Sequence, residues 1–263
     1  AEAIERLEAG LELTPVSPSA RPDVFATLGR AYAAAGRLER AARIYERCLE
    51  EVAEESPQDL AARVRFTSHL GHALAELDDL DGAQSLLDAA LDAAEEMTAA
   101  FSRVQLYRSL ARHADAQGRP GAALDYVRRA VALLAATDDT LDLARAHLLS
   151  GRILMTHGRP DAAGLHFDLA ERLFGKNAEA VDVANLYTDQ ARRAVALGDG
   201  EEAVRRAGAA IDAVGDDYPR EKGNAIWALA EGLALGSDAD GADDAFRRAT
   251  DLLAEQSHRR DYV

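Results

Sequence analysis

Ten side chains in this sequence have the types and the regular placing needed to hold a charged or amide-containing ligand: Arg65, His72, Arg108, Arg112, Arg145, Arg152, Asn185, Arg192, Asn224 and Trp227. Each lies one residue after, three before or six before a small residue that recurs along the chain. Offsets of three and four put such positions on one face of a helix. Guanidinium groups supply forked donors that match carboxylate or phosphate. Asn amides pair with both the N–H and the C=O of an extended peptide, whatever its sequence. Trp227 offers a ring on which an apolar anchor can stack. A packing role stands beside this reading: the arginines can pair with acids of a neighbouring element, and a lone tryptophan can be core.

Other chemistry finds less support. The seven histidines are scattered over different expected helices and turns. His69 and His72 stand three apart on one of them, but no Cys or carboxylate motif completes a metal site. Cys48 fills a column otherwise held by alanine, the place of a small core residue, and one cysteine excludes an internal disulfide framework. The acidic runs "ELDDLDG", "ATDDTLD" and "GSDADGADD" fall at expected turns and helix starts. Carboxylates there cap exposed N–H groups and oppose the positive dipole end. The last run lacks the spacing and terminal glutamate of a calcium loop. There is no P-loop and no catalytic constellation, so no enzyme activity, cofactor or metal is expected.

The elements that must position the ten residues repeat. The small residue is Gly29, Gly71, Ala111, Gly151, Ala191 and Ala230, at steps of 42, 40, 40, 40 and 39 residues. Twelve residues after each comes alanine: Ala41, Ala83, Ala123, Ala163, Ala203 and Ala242. Four further on the residue is usually larger and apolar: Tyr45, Leu87, Val127, Phe167, Ala207 and Phe246. Turns are expected at Gly36, Gly118, Gly158, Gly198 and Gly236, with Asp78 in that place in the second unit. This is the pattern of a packed helical hairpin: small residues let helix A approach helix B, and the bulky residue fills the gap. Each hairpin leaves an apolar face open and must stack on the next. Ala3, Leu7 and Pro15 fit a lone helix B, residues 1–15, joined by a linker over 16–22 to six hairpins over 23–263. "SHRRDYV" stands where a seventh helix A would begin.

The stretch "LGRAYAAAGRLERAARIYERCLE", Leu28 to Glu50, carries in order the leucine, small residue, tyrosine, turn glycine, alanine, aromatic and small residue of the tetratricopeptide repeat (TPR). The chain resembles that family over nearly its whole length, with a period of about 40 instead of about 34. The extra residues are expected chiefly in and after helix B, as in "AQSLLDAALDAAEEMTA". The resemblance implies an all-α solenoid, a right-handed superhelix whose concave groove is lined by the face that carries the ten residues. Phrases such as "LARAHLLSGRILMTHGRPDAA" and "GADDAFRRATDLLAEQ" resemble the C-terminal TPR arrays of actinobacterial regulators that begin with an XRE-type helix-turn-helix. By that resemblance the chain is the peptide-sensing, homodimer-forming part of a cytoplasmic transcriptional regulator. DNA would then be bound only through a further N-terminal domain. A constitutive interaction scaffold is the alternative.

Composition agrees with a helical-repeat chain. Of 263 residues 48% are hydrophobic and only 5% aromatic, so the core is built from Ala, Leu and Val. A net charge of −16 argues against direct nucleic-acid binding by this segment. The ligand expected for the arginine-rich face is therefore a peptide or protein, acidic or carboxylate-terminated. No apolar run reaches the length of a membrane span. The first residue is not methionine, and the chain is read as part of a longer one.

Overall fold

The computed structural model describes residues 2–56, 58–95, 100–175, 178–216 and 218–261. They form thirteen α-helices and, among the described residues, no strand. The helices expected as helix A are α2 (Pro22–Ala34), α4 (Leu60–Glu76), α6 (Ala100–Ala116), α8 (Thr140–Thr156), α10 (Ala180–Ala196) and α12 (Pro219–Leu235). Those expected as helix B are α1 (Glu2–Leu13), α3 (Leu38–Glu55), α5 (Leu80–Glu95), α7 (Pro120–Leu134), α9 (Pro160–Phe174), α11 (Gly200–Val214) and α13 (Ala239–Asp261). The helices gather into two compact units, Ala1–Leu133 and Leu134–Val263. In the first, α4 packs on α2, α3, α5 and α6; in the second, α10 packs on α8, α9, α11 and α12.

The hairpin rests on a fit between unlike columns. A Cβ placed on Gly29 would drive into the Tyr45 ring, and one on Gly151 into the Phe167 ring. At Gly71 the same atom would stand 3.0 Å from Leu87 Cγ. Where helix A carries alanine, helix B answers with a smaller residue in two of three cases, Val127 and Ala207. Tyr45, Leu87, Val127 and Phe167 are all buried to 2% exposure or less, so the fit is complete.

Every A-to-B turn closes the same way. One residue takes a positive φ, and the next N–H reaches back to the carbonyl five residues earlier, as in Arg37→Tyr32 at 2.9 Å and Arg159→Leu154 at 2.9 Å. The left-handed residue is Gly36, Asp78, Gly118, Gly158, Gly198 and, in the last hairpin, Ser237. The turn glycine expected at Gly236 is thus displaced by one: Gly236 keeps φ −77° and caps α12. The 39-residue last step hides this, since Ser237 stands seven after Ala230 as Gly198 does after Ala191. The acids in the runs do cap: Asp79, Asp139 and Asp238 accept N–H bonds of 3.0 Å from Gly82, Asp142 and Gly241.

Two length expectations change. The extra residues are shared by both helices, with 17 in α8 and α10 against 15 in α9 and α11. Residues 96–99 of the quoted helix-B stretch lie outside the described residues. "SHRRD" belongs to the end of α13 and not to a seventh helix A, while Tyr262 and Val263 lie outside the described residues.

The column fit predicts strong specificity at the small position. Gly151→Ala should cost about 1–3 kcal/mol by overpacking against Phe167. Adding Phe167→Leu should restore part of that loss. Gly121→Ala, with open space around it, should leave the urea midpoint unchanged or slightly raised.

Candidate functional site

In the second unit the predicted arginines of α8 are engaged. Arg145 donates from Nη2 to Asp182 Oδ2 at 2.6 Å, from Nε to both Asp182 oxygens at 3.2 and 3.1 Å, and from Nη1 to Asp142 Oδ1 at 3.2 Å. Arg152 donates from Nε to Asp189 Oδ2. Asp142, Asp182 and Asp189 are all buried. The bonds to Asp182 raise the Arg145 pKa above its ordinary value against the opposing effect of burial. Burial pushes the Asp189 carboxyl up, and Arg152 and Arg192 pull it back. These are two rungs between consecutive A helices, the pairing with a neighbouring element set beside the ligand reading above.

The ladder stops at α10 for a reason visible in the sequence. Asp189 stands two residues before Ala191; the same place on α12, two before Ala230, is Ala228. Arg192 is accordingly exposed on α10, next to half-buried Asn185. On α12, Asn224 is half-buried and Trp227 is 38% exposed. The indole meets the Phe246 ring edge-on at 5.0 Å and donates its Nε1–H to Glu231 Oε1 at 3.1 Å. Trp227 therefore packs and remains accessible at once. Most of its column is not groove surface: Ala26, Ser68, Leu148 and Thr188 are buried.

The first unit has the same columns with different charges. Arg65 and His72 are half-buried on α4, Arg108 is half-buried and Arg112 exposed on α6, and Arg30 is exposed on α2 with Nη2 donating to Thr27 Oγ1 at 3.1 Å. His69, between Arg65 and His72 on α4, stacks on the Tyr45 ring at 5.2 Å and 21°. Burial drives the His69 pKa down to about 4, and the positive groups Arg30, His72, Arg65 and Arg112 add to that effect. No carboxylate figures among the charges that act on it. The charges that act on His69 from α2, α4 and α6 are thus positive, where Arg145 and Arg152 of α8 are paired with carboxylates of the second unit.

Reading by columns does not reveal His69, Asp182 and Asp189 as members of these faces. The signal is present in the sequence: Asp182 and Asp189 each follow a predicted arginine by 37 residues. Nor does it reveal the bridge in which Arg206 donates to Glu171 at 3.0 Å and Gln190 at 2.8 Å, joining α9, α10 and α11. Cys48 is fully buried and its thiol is pushed up to about 12 by burial, as suits a core residue. Among the described residues no group of three or more His, Cys, Asp or Glu is placed to hold a metal. No described helix is long and apolar enough to cross a membrane.

Comparison with known proteins fits this architecture. The tetratricopeptide repeat family matches residues 22–51. No curated protein matches the chain. Among solved structures, BtubC from P. vanneervenii superposes with a TM-score of 0.68 at 21% identity, over 84% of this chain and 92% of that one. A Rap protein complexed with competence and sporulation factor gives 0.74 at 14% identity, over 98% and 71%. A signal transduction ATPase with a tetratricopeptide-repeat sensor, from Pyrococcus horikoshii, gives 0.64 at 14%, over 91% and 44%. The chain carries a tetratricopeptide repeat and has the fold of TPR solenoids, a fold that serves protein interaction.

The ladder makes a prediction about stability. Arg152→Ala leaves Asp189 buried without its donor and should cost about 1–3 kcal/mol, less than the roughly 3–5 kcal/mol of a fully buried pair because the arginine is partly exposed. Arg192→Ala should cost no more than about 0.5 kcal/mol. Urea unfolding of the two variants measures the difference.

Proposed function

We propose that this chain is a non-enzymatic peptide-binding module whose ligand is an extended acidic segment, held on the helix-A faces. The observation that carries the reading is the gathering of basic side chains on α2, α4 and α6, whose charges act on His69, in a chain of net charge −16. Repulsion from the whole molecule disfavours an acidic ligand everywhere except at a local positive face. Arg65, His72, Arg108 and Arg112 would hold its carboxylates. The second unit, taken by itself, offers Asn185, Arg192, Asn224 and Trp227 to peptide backbone and an apolar side chain, while Arg145 and Arg152 brace α8 against α10.

The wider role we propose is ligand sensing in a bacterial transcriptional regulator that acts as a cytoplasmic homodimer, with DNA bound by another domain. Support for sensing comes from two structural neighbours, one complexed with competence and sporulation factor and one carrying a TPR sensor. A repeat stack suits the task because small rotations between neighbours accumulate along it.

Fluorescein-labelled tetraglutamate with a free carboxylate should bind more tightly than labelled tetralysine, with an affinity that falls as salt rises. Arg65→Ala combined with Arg112→Ala should weaken tetraglutamate at least roughly tenfold, in keeping with loss of two charged hydrogen-bonding partners, and leave helical content intact. Equal binding of the two probes, or full affinity in the double variant, would contradict the reading.

A further inference from the structure

One pair of columns ties helix A to helix B in successive hairpins, four residues before the small residue and fifteen after it. In the third hairpin these places hold Tyr107 and Tyr126, whose rings stack at 6.4 Å. In the fifth they hold Tyr187 and Arg206, with the guanidinium 5.6 Å from the ring centroid. The fourth hairpin alone fills both with imidazole, His147 on α8 and His166 on α9. Their contact is not a stack. The ring centroids are 5.4 Å apart, yet the two Nδ1 atoms are only 3.2 Å apart. The difference is about the width of one imidazole ring, so the two Nδ1 edges are turned towards each other. One Nδ1–H then donates to the other Nδ1. We infer that His147 and His166 form a two-ligand site for a divalent transition-metal ion, held by both Nδ1 atoms, with the remaining coordination positions taken by water. This inference is independent of the acidic-ligand reading.

The separation suits one ion shared by both rings. With Zn–N bonds of about 2.0–2.1 Å, nitrogens 3.2 Å apart subtend roughly 100° at the metal, close to tetrahedral. The bite is set by packed helices and not by a loop. Phe167, the residue after His166, fills the space beside Gly151 of α8, so the contact that seats α9 on α8 also places the two rings. Sites carried on helices hold their geometry better than sites on loops. Both histidines are half-buried, which leaves the pair within reach of solvent. Burial holds both below the ordinary histidine pKa, and His166 adds to the effect on His147, so both rings are neutral at pH 7. Neutral imidazole is the form that binds metal. Coordination then needs no net loss of a proton. The ring that carries hydrogen on Nδ1 shifts it to Nε2, and a small turn of each ring directs both lone pairs at the ion. One hydrogen bond is exchanged for two coordination bonds. Imidazole selects zinc, copper or nickel over magnesium or calcium. Two protein ligands bind more weakly than the closed four-ligand set of a structural zinc site, and the open positions keep the ion exchangeable.

Zinc chloride titrated into the whole chain, with histidine side chains observed by ¹H–¹⁵N correlation spectra, tests the site. The His147 and His166 Nδ1 resonances should shift together and saturate at an equimolar amount, ahead of those of His69 and His72. Zinc affinity by calorimetry should fall at least roughly tenfold in His147→Gln and in His166→Gln alike, while His72→Gln keeps it. Bound Cu²⁺ should show electron-resonance splitting from two ring nitrogens, reduced to one in either variant. Magnesium chloride should leave both rings unchanged. Should the variants prove unstable, the wild-type spectra decide by themselves. Zinc shifts confined to other histidines, shifts of the pair that never saturate, or loss of affinity in only one of the two variants overturns the inference.

Discussion

Everything in this molecule depends on one steric relation, the bulky side chain of helix B entering the space left by a missing side chain on helix A. Tyr45 over Gly29 and Phe167 over Gly151 are its tightest cases. The relation fixes how near the two helices stand and which way each is turned about its axis. Once that rotation is set, the residue after the small one and those three and six before it are carried to a common face, with no further instruction from the sequence. The matching left-handed turns then lead each helix A into its helix B in the same way. A face of ligand-binding type is therefore a by-product of close packing, and what varies between hairpins is only which side chains occupy it.

That freedom has been used differently in the two units. A single column, two residues before the small one, holds a carboxylate at Asp189 and an imidazole at His69. Asp189 accepts a hydrogen bond from Arg152, whereas His69 stacks on Tyr45. Burying Asp182 and Asp189 costs solvation, and the forked bonds from Arg145 and the single bond from Arg152 offset it, so the ladder fixes register between α8 and α10 more than it adds stability. In the first unit the charges that act on the imidazole in that column are positive.

Much of this is legible in the amino-acid sequence. Columns of Gly and Ala, the turn residues and the capping acids are local or strictly periodic signals, and they place the helices well. In the last turn the left-handed place, seven after the small residue, falls on Ser237, and the glycine beside it at Gly236 misleads a reading that looks for glycine. The ladder is harder to see: it joins residues 37 apart, close to but not equal to the repeat, so column-by-column reading separates Arg145 from Asp182. Exposure is also invisible in part. Ser68, Leu148 and Thr188 share the helix face with Arg65, Arg152 and Arg192, yet they are buried. As for His69, nothing in its own column, which holds Ser109, Leu149 and Asp189, marks it as a histidine position.

The central claim is that an acidic ligand lies on the A helices of the first unit. Hydrogen–deuterium exchange with and without saturating tetraglutamate reads this directly, segment by segment. The account predicts slowed exchange in α2, α4 and α6, with α3 and α5 little changed. Slowing confined to helix-B segments, or none in the first unit at saturation, would contradict it.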